Sequence, residues 1–324
     1  MNEAVAGIDI GGTKIAIALE TIQGERMASR QFPTRVERGP ETILDNIVSA
    51  TSEMCAEAQV RLMAVGLSCP GSIDKDRGAP LRSIHLPGWH EFPVARLIEE
   101  RLRVPTLIEN DAKLAALGEY VYGAGRGFRD IFYITISTGI GGGIIINGEL
   151  LHGVGNGAGE VGHTIVLPEG PLCGCGLRGC LDAVCSGTAM ARRARELMAK
   201  GAPSIIARML DHPDEITAQT IAAAAQKGDP LACGIWDEMI HFLSIGIGNV
   251  ITILAPEAVI LGGGVAASGE QLLGPLRPLI QRRVSMLPAE RVEILQAALA
   301  GESGVYGALA IARPAASTNY IVSP

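Results

Sequence analysis

The sequence predicts an α/β fold built from a duplicated unit, two domains with a central cleft between the halves. Three observations carry that expectation. The chain has 324 residues, enough for two ordinary domains. Helix-period and strand-period segments alternate along it, as in βα units. One pattern also occurs twice: Val5–Leu19 (VAGIDIGGTKIAIAL) and Ile131–Ile146 (IFYITISTGIGGGIII) are each a β-branched run, a glycine turn with a hydroxyl residue, and a second such run. Each reads as a β-hairpin whose tight turn exposes backbone amides. Two such hairpins, about one domain apart, imply duplication.

Between the hairpins, residues 41–58 carry Ile43, Leu44, Ile47, Val48, Met54 and Cys55 at helical spacing. Leu62–Leu67 reads as a buried strand that ends in Ser-Cys-Pro-Gly at 68–71. A second amphipathic helix is expected over 93–102 and a short strand over 104–108. A helix over 112–122 then follows directly after Glu109-Asn110-Asp111. The second half opens with a loop-rich stretch over 148–186, dense in Gly and Cys. Helices follow over 188–200, about 221–226 and about 231–254, the last of them long and apolar. A strand over 258–261 runs into Gly262-Gly263-Gly264, and a helix over 304–312 closes the pattern. Gly123–Gly127 is the best hinge candidate. The expected domains are therefore 1–122, joined by the C-terminal helix over about 304–324, and 123–303.

Composition narrows the function. A 48% hydrophobic and 19% charged chain is an ordered globular one. Its 27 Lys and Arg against 34 Asp and Glu leave a net charge of −7, which argues against nucleic acid and anionic membranes as partners. No signal peptide opens the chain, and no apolar run is long enough to span a bilayer. Seven cysteines, unevenly spaced, do not make a disulfide framework. The expected location is the cytoplasm.

The glycine turns carry the first chemistry. In Asp9-Ile-Gly-Gly-Thr-Lys14, the backbone N–H groups of Gly11 and Gly12 and the Thr13 hydroxyl suit an oxyanion. Asp9, at the end of a buried strand, suits Mg²⁺, directly or through water. An ordinary Gly-Gly turn looks the same. The motif is neither a Walker loop nor a Rossmann fingerprint, because no Gly-Lys-Ser/Thr or Gly-x-Gly-x-x-Gly opens a helix. Ser137-Thr-Gly-Ile-Gly-Gly-Gly143 repeats the chemistry, and two facing hairpins grip one polyphosphate from both sides. Gly262–Gly264 offers backbone for an adenosine to lie against, or is a plain strand-exit turn. At Glu109-Asn110-Asp111 a carboxylate can accept the proton of an attacking hydroxyl while Asn110 orients the substrate. Asn and Asp are also the preferred helix N-caps, and position alone favours the cap.

His163 with Cys173, Cys175 and Cys180 is the most specific local signal. One imidazole and three thiolates make a closed tetrahedral set for structural Zn²⁺, with no open position for catalysis. Buried free thiols are the alternative. Glu160 and Asp182 flank these ligands, and a carboxylate accepts hydrogen bonds from two sugar hydroxyls, although surface charge is the usual fate of Asp and Glu. Cys55, Cys69, Cys185 and Cys233 read as small core residues. His90, His152, His212 and His241 read as surface or satisfied core residues.

Together these residues resemble the ROK family, whose name joins repressors, open reading frames and kinases. The resemblance runs from Asp9 to Gly304–Ala308. It is most specific at Glu160-Val-Gly-His163 followed by Cys173-Gly-Cys-Gly-Leu-Arg-Gly-Cys180-Leu-Asp182. It implies an actin-like, hexokinase-type fold that closes around sugar and ATP. It further implies Asp111 as the general base on the sugar 6-hydroxyl. Gly71, Asn110, Glu160 and His163 would hold the sugar, with the second nitrogen of His163 on zinc. Asp9, Gly11, Gly12, Thr13 and Lys14, with Thr138, Gly139, Gly141 and Gly142, would manage Mg·ATP, and Gly262, Gly263 and Gly264 the nucleoside. A homodimer is common in the family.

Two positions depart from the family pattern. Asp182 stands where a Glu is usual, and His85 stands before Leu-Pro-Gly-Trp where a sugar-contacting Asn is usual. Both would touch the sugar, so substrate choice is where this chain is expected to differ. Glucose is the expected sugar, because the loop over 160–188 most resembles bacterial glucokinases. An N-acetylhexosamine, either N-acetylglucosamine or N-acetylmannosamine, is the alternative. A sugar-sensing repressor would carry a winged helix ahead of the kinase-like part, and a phosphate hairpin that begins at residue 9 points away from one. An inactive sugar-binding relative is disfavoured by Asp9, Thr13 and Asp111.

Overall fold

The computed structural model describes residues 2–82 and 86–317. The chain divides into two compact units, one of residues 1–126, 150–158 and 302–324 and one of residues 127–149 and 159–301. The first begins with β1 (Asn2–Ile10), β2 (Lys14–Thr21), β3 (Arg26–Pro33), α1 (Pro40–Ala58) and β4 (Val60–Cys69). A small hairpin of β5 (Ser72–Asp74) and β6 (Ala79–Arg82) follows, then α2 (Val94–Leu102), β7 (Thr106–Asn110) and α3 (Asp111–Tyr122). The second unit holds β8 (Ile131–Ile136), β9 (Ile140–Ile146), β10 (Glu149–Leu150), α4 (Leu181–Cys185), α5 (Gly187–Ala199), α6 (Ala218–Gln226) and α7 (Pro230–Leu254). It ends with β11 (Ala258–Gly262), α8 (Gly263–Ala266), α9 (Glu270–Arg283) and β12 (Glu293–Gln296), after which α10 (Ser303–Ser317) returns to the first unit.

The two sheets have the same order, β3-β2-β1-β4-β7 and β10-β9-β8-β11-β12. In each, an antiparallel hairpin is continued by two parallel strands: β1 pairs with β2 and then β4, and β8 pairs with β9 and then β11. The repeat read in the sequence is thus a repeat of topology. In the first unit one sheet face buries Ile8, Ile10, Ile15 and Ile17 against Ile43, Leu44 and Ile47 of α1 and Ile98 of α2. Each such side chain contributes roughly 1.5–3 kcal/mol on leaving water. The other face, at Val5, Ala18 and Ala64, packs on Val305, Leu309 and Ala312 of α10, which also lies along α3.

Four elements differ from or add to the sequence reading. The stretch 270–283, to which the sequence reading assigns no element, carries Pro275 and Pro278 and is helical as α9. Each proline removes a donor, but Leu272, Leu273, Leu276 and Ile280 are buried along one stripe, and tertiary burial outweighs local propensity. β3 is a half-exposed edge strand and β12 has four residues, so neither has a clear apolar period. The segment 150–158, counted with the second half in the sequence division, packs with the first unit. Among the described residues one helix, Pro230–Leu254, is long and apolar enough to cross a membrane; half of its apolar stretch is buried, and it packs on α4, α5, α6 and α9 as a core helix does.

Candidate active site

In the first unit, three parallel strands end side by side. Asp9 of β1 pairs in register with Ser68 of β4, and Cys69 pairs with Asn110 of β7. Asp9, the Cys69–Gly71 turn and Asn110–Asp111 therefore share the carboxyl edge of one sheet, where α/β folds bind ligands. The β1–β2 turn is stiffened from outside: the Thr34 hydroxyl donates to Gly11 O at 2.6 Å and its amide to Thr13 O at 3.0 Å. Thr13 and Lys14 are left exposed on the turn. Sequence reasoning missed Thr34, which is 23 residues from Gly11 with no local pattern joining them.

Asp9 lies against the first turn of α10. A Cβ on Gly304 would come within 2.9 Å of the Asp9 carboxylate, so only glycine lets the helix start approach so closely. Ser68 donates its hydroxyl to Asp9 Oδ1. Burial pushes the Asp9 carboxyl above its ordinary range, and the Ser68 hydrogen bond and the Lys14 charge pull it partly back. A raised carboxyl binds its proton more tightly folded than unfolded. Its stabilising contribution is therefore present at pH below the unfolded value and is lost as pH rises through the folded one. Asp9→Asn should accordingly melt higher than the parent protein at pH 7.5, with the gap closing as pH falls towards about 4. Scanning calorimetry at both pH values checks this, and a variant that melts lower at pH 7.5 contradicts it.

Asn110 resolves the two readings left open at the strand end. It is the N-cap of α3, with its side-chain oxygen accepting from Ala112 N at 3.0 Å and Lys113 N at 3.1 Å. Its Nδ2 donates to Gly71 O and to Asp111 Oδ1, both at 3.0 Å. The cap is thus filled by Asn110, and Asp111, half-buried as the first helical residue, is oriented by it.

Glu109, just before them, is 2% exposed and holds a network that the sequence did not reveal. Its carboxylate pairs with Lys75 Nζ at 2.6 Å and lies 3.1 Å from His152 Nδ1. It also accepts from Asn156 Nδ2 at 2.6 Å and from Asn110 N at 2.8 Å. Burial alone would raise its pKa, but the hydrogen bonds from Lys75, Asn156 and Asn110 outweigh burial and hold the carboxyl below its ordinary range. His152 is thus an exposed histidine tied into this network, as the surface reading allows.

In the second unit the β8–β9 turn carries Ser137 to Gly139, and the start of α5 is bonded to it. Gly187 N donates to Ser137 O at 2.8 Å and Thr188 N to Thr138 O at 3.3 Å, and the Ser186 hydroxyl caps the helix at Ala189 N. These bonds occupy the first amides of α5 and fasten the helix start to the turn. Gly262 ends β11 in register with Thr135 of β8, and Gly263 follows with φ of 86°. Ser137, Thr138, Thr188, Arg195, Gln219 and Gly264 are among the residues lining a cavity of about 300 Å³, which is in the range of small-ligand sites. Asp182 Oδ1 accepts from Ile140 N at 2.7 Å, so this residue braces the glycine turn, a tie absent from the sequence reading.

The same unit gathers the metal set. A tetrahedral zinc with bonds of about 2.3 Å places its sulfurs about 3.8 Å apart. Cys175 Sγ and Cys180 Sγ are 3.6 Å apart, Cys173 Sγ is 3.7 Å from His163 Nδ1, and all four ligand atoms lie within 4.8 Å of one another. The residues fit the ion. Gly179, at φ 71°, allows the tight fold, since a Cβ there would meet Leu167 O at 1.6 Å. Burial pushes the Cys173 thiol up and the Cys180 thiol up to about 12, whereas the Leu177 amide holds Cys175 below the ordinary range. A bound divalent cation offsets such burial by favouring the thiolates. With Nδ1 on the metal side, the Nε2 of His163 is the nitrogen that faces away from the sulfurs. Cys69 and Cys185 are buried core residues and Cys55 and Cys233 are half-buried. His85 lies outside the described residues.

Two units of equal strand order, each with a glycine hairpin, are the actin-like architecture of sugar kinases with solved structures. The sequence profile of the ROK family matches residues 5–315, and the chain belongs to that family. It is 36% identical to a glucokinase of Halalkalibacterium halodurans over 93% of this chain and 92% of that one. It is 32% identical to an N-acetylmannosamine kinase of Shigella flexneri, over 95% and 98%. A ROK glucokinase from Streptomyces griseus, solved with glucose and AMPPNP, superposes with a TM-score of 0.82 at 34% identity, covering 96% of this chain and 99% of that one.

Proposed function

We propose that this protein transfers the γ-phosphoryl group of ATP to the 6-hydroxyl of a hexose, glucose first among them. The observation that carries the reading is the strand-end arrangement of Asn110 and Asp111. Asn110 caps the helix, bonds Gly71 O and donates to Asp111 Oδ1, which also accepts from Ala112 N, and so holds the aspartate on the ligand edge of the sheet together with Asp9. Family membership and the glucokinase relatives support the same reading.

In this reading Asp111 accepts the proton of the 6-hydroxyl as its oxygen bonds to the γ-phosphorus. The bond from that phosphorus to the β–γ bridging oxygen breaks, and ADP leaves. Gly71, Asn110, Glu160 and the Nε2 of His163 hold the sugar hydroxyls, with Asp182 adding its second carboxylate oxygen. Gly11, Gly12, Thr13 and Lys14, with Thr138, Gly139, Gly141 and Gly142, bind the phosphates. Gly262–Gly264 and the adjoining cavity take the nucleoside. Asp9 is the residue that would hold Mg²⁺, which supplies charge neutralisation to the phosphates when bound. His163, Cys173, Cys175 and Cys180 would hold Zn²⁺, whose contribution is structural: it fixes the segment that carries Glu160 and His163.

Domains divided near 122 and 303, a homodimer and a cytoplasmic location belong to the same proposal; light scattering tests the dimer. An ADP-release assay over glucose, mannose, N-acetylglucosamine and N-acetylmannosamine ranks the acceptors. The expected order places glucose first by kcat/KM. An N-acetylhexosamine in first place would overturn the sugar assignment and leave the kinase assignment standing.

A further inference from the structure

One buried polar cluster has no part in the chemistry above. Asn156 sits in the 150–158 segment with φ of 60°. Its Nδ2 donates to Glu109 Oε1 at 2.6 Å, while its backbone oxygen and its Oδ1 both accept from Lys113 Nζ, at 2.5 and 2.8 Å. Glu109 and Lys113 are 2% and 1% exposed, and they flank Asn110–Asp111 in the sequence, one on each side. Charged groups tolerate such burial only when most of their polar atoms are hydrogen-bonded. A single carboxamide thus serves an acid and a base at once, donating to one and accepting from the other.

We infer that Asn156 is a positioning residue for the sugar: through Glu109 and Lys113 it holds in place the strand end and helix start that carry Asn110 and Asp111. The inference rests on the sugar-binding and base roles proposed above. Its physical content is that one half-buried carboxamide, reaching over from residue 156, holds both flanks of the Asn110–Asp111 pair. Small displacements of such ligands are expensive in rate, and residues that orient ligands from behind commonly cost tenfold or more when removed.

Asn156→Gly is the informative variant. Glycine keeps the left-handed backbone without strain and keeps the carbonyl that Lys113 uses, so only the carboxamide is lost. The expected result is a sugar KM raised about tenfold or more, a lowered kcat, an ATP KM within about twofold of the parent, and an unchanged zinc content. Sugar and ATP KM values both unchanged, or both altered alike with a lowered melting temperature, overturn the inference in favour of a simple structural staple. If Asn156→Gly does not fold, Glu109→Gln carries the same test by the same two KM values. Asp111→Asn, assayed in parallel, separates the failures. Loss of turnover there, beside a normal sugar KM in Asn156→Gly, sinks the positioning role alone; normal turnover there sinks the catalytic reading on which it rests.

Discussion

Replacing Asp111 with alanine is expected to lower kcat about a thousandfold while glucose still binds. Removal of a general base costs roughly 10²–10⁴-fold, and here no neighbour replaces it. Glu109, the next carboxylate along the chain, is committed to Lys75, Asn156 and the Asn110 amide, and Asn110 has no acid–base chemistry. Asp111→Ala loses the bond from Ala112 N to Asp111 Oδ1, but Asn110 still accepts from Ala112 N and Lys113 N, so α3 keeps its start and the variant should melt close to the parent. Steady-state kinetics gives kcat, and titration calorimetry with glucose gives binding in the same preparation. Turnover within about tenfold of the parent would show that the proton goes elsewhere.

The second large effect is expected from Cys175→Ser. Cys175 is exposed, so the exchange leaves no cavity in a core, and its consequences come through the metal. A serine hydroxyl is a poor zinc ligand, and with three ligands left the ion should be lost at chelator concentrations the parent resists. Its loss unties the loop from Cys173 to Cys180, and with it His163, whose Nδ1 is on the metal side. It also loosens Asp182 two residues on, which braces the β8–β9 turn at Ile140. The expected outcome is less than one zinc per chain by elemental analysis, a melting temperature lower by several degrees, and a sugar KM raised at least about tenfold. Full zinc content with a normal sugar KM would mean that Cys175 is not a ligand.

Much of the architecture was legible because its signals are local. The two glycine hairpins show as β-branched runs around a turn, and they occupy equivalent places in two sheets of equal order. The metal set was legible for the same reason, since three of its four ligands fall within eight residues. The Asn110–Asp111 pair was ambiguous, because caps and catalytic carboxylates favour the same residue types at helix starts. Only the hydrogen bonds assign the cap to the asparagine.

What could not be read depends on distant partners. Thr34 under Gly11, Asp182 on the Ile140 amide, the α5 start on Ser137 and Thr138, and Asn156 between Glu109 and Lys113 each join residues that no periodicity relates. The α9 helix has no assignment in the sequence reading; the cost of its two prolines is local, while the burial that overrides it is tertiary. Chain position assigns the 150–158 segment to the second half, whereas it packs with the first unit, where Asn156 bonds Glu109 and Lys113.

Phosphorus NMR of the purified protein with ATP, Mg²⁺ and glucose tests the central claim most directly. ADP and a sugar phosphate carrying its phosphate on the 6-oxygen are expected to appear at equal rates, and both about a thousandfold more slowly with Asp111→Ala. ADP without a sugar phosphate, or no reaction with glucose or with any hexose in the panel, would contradict it.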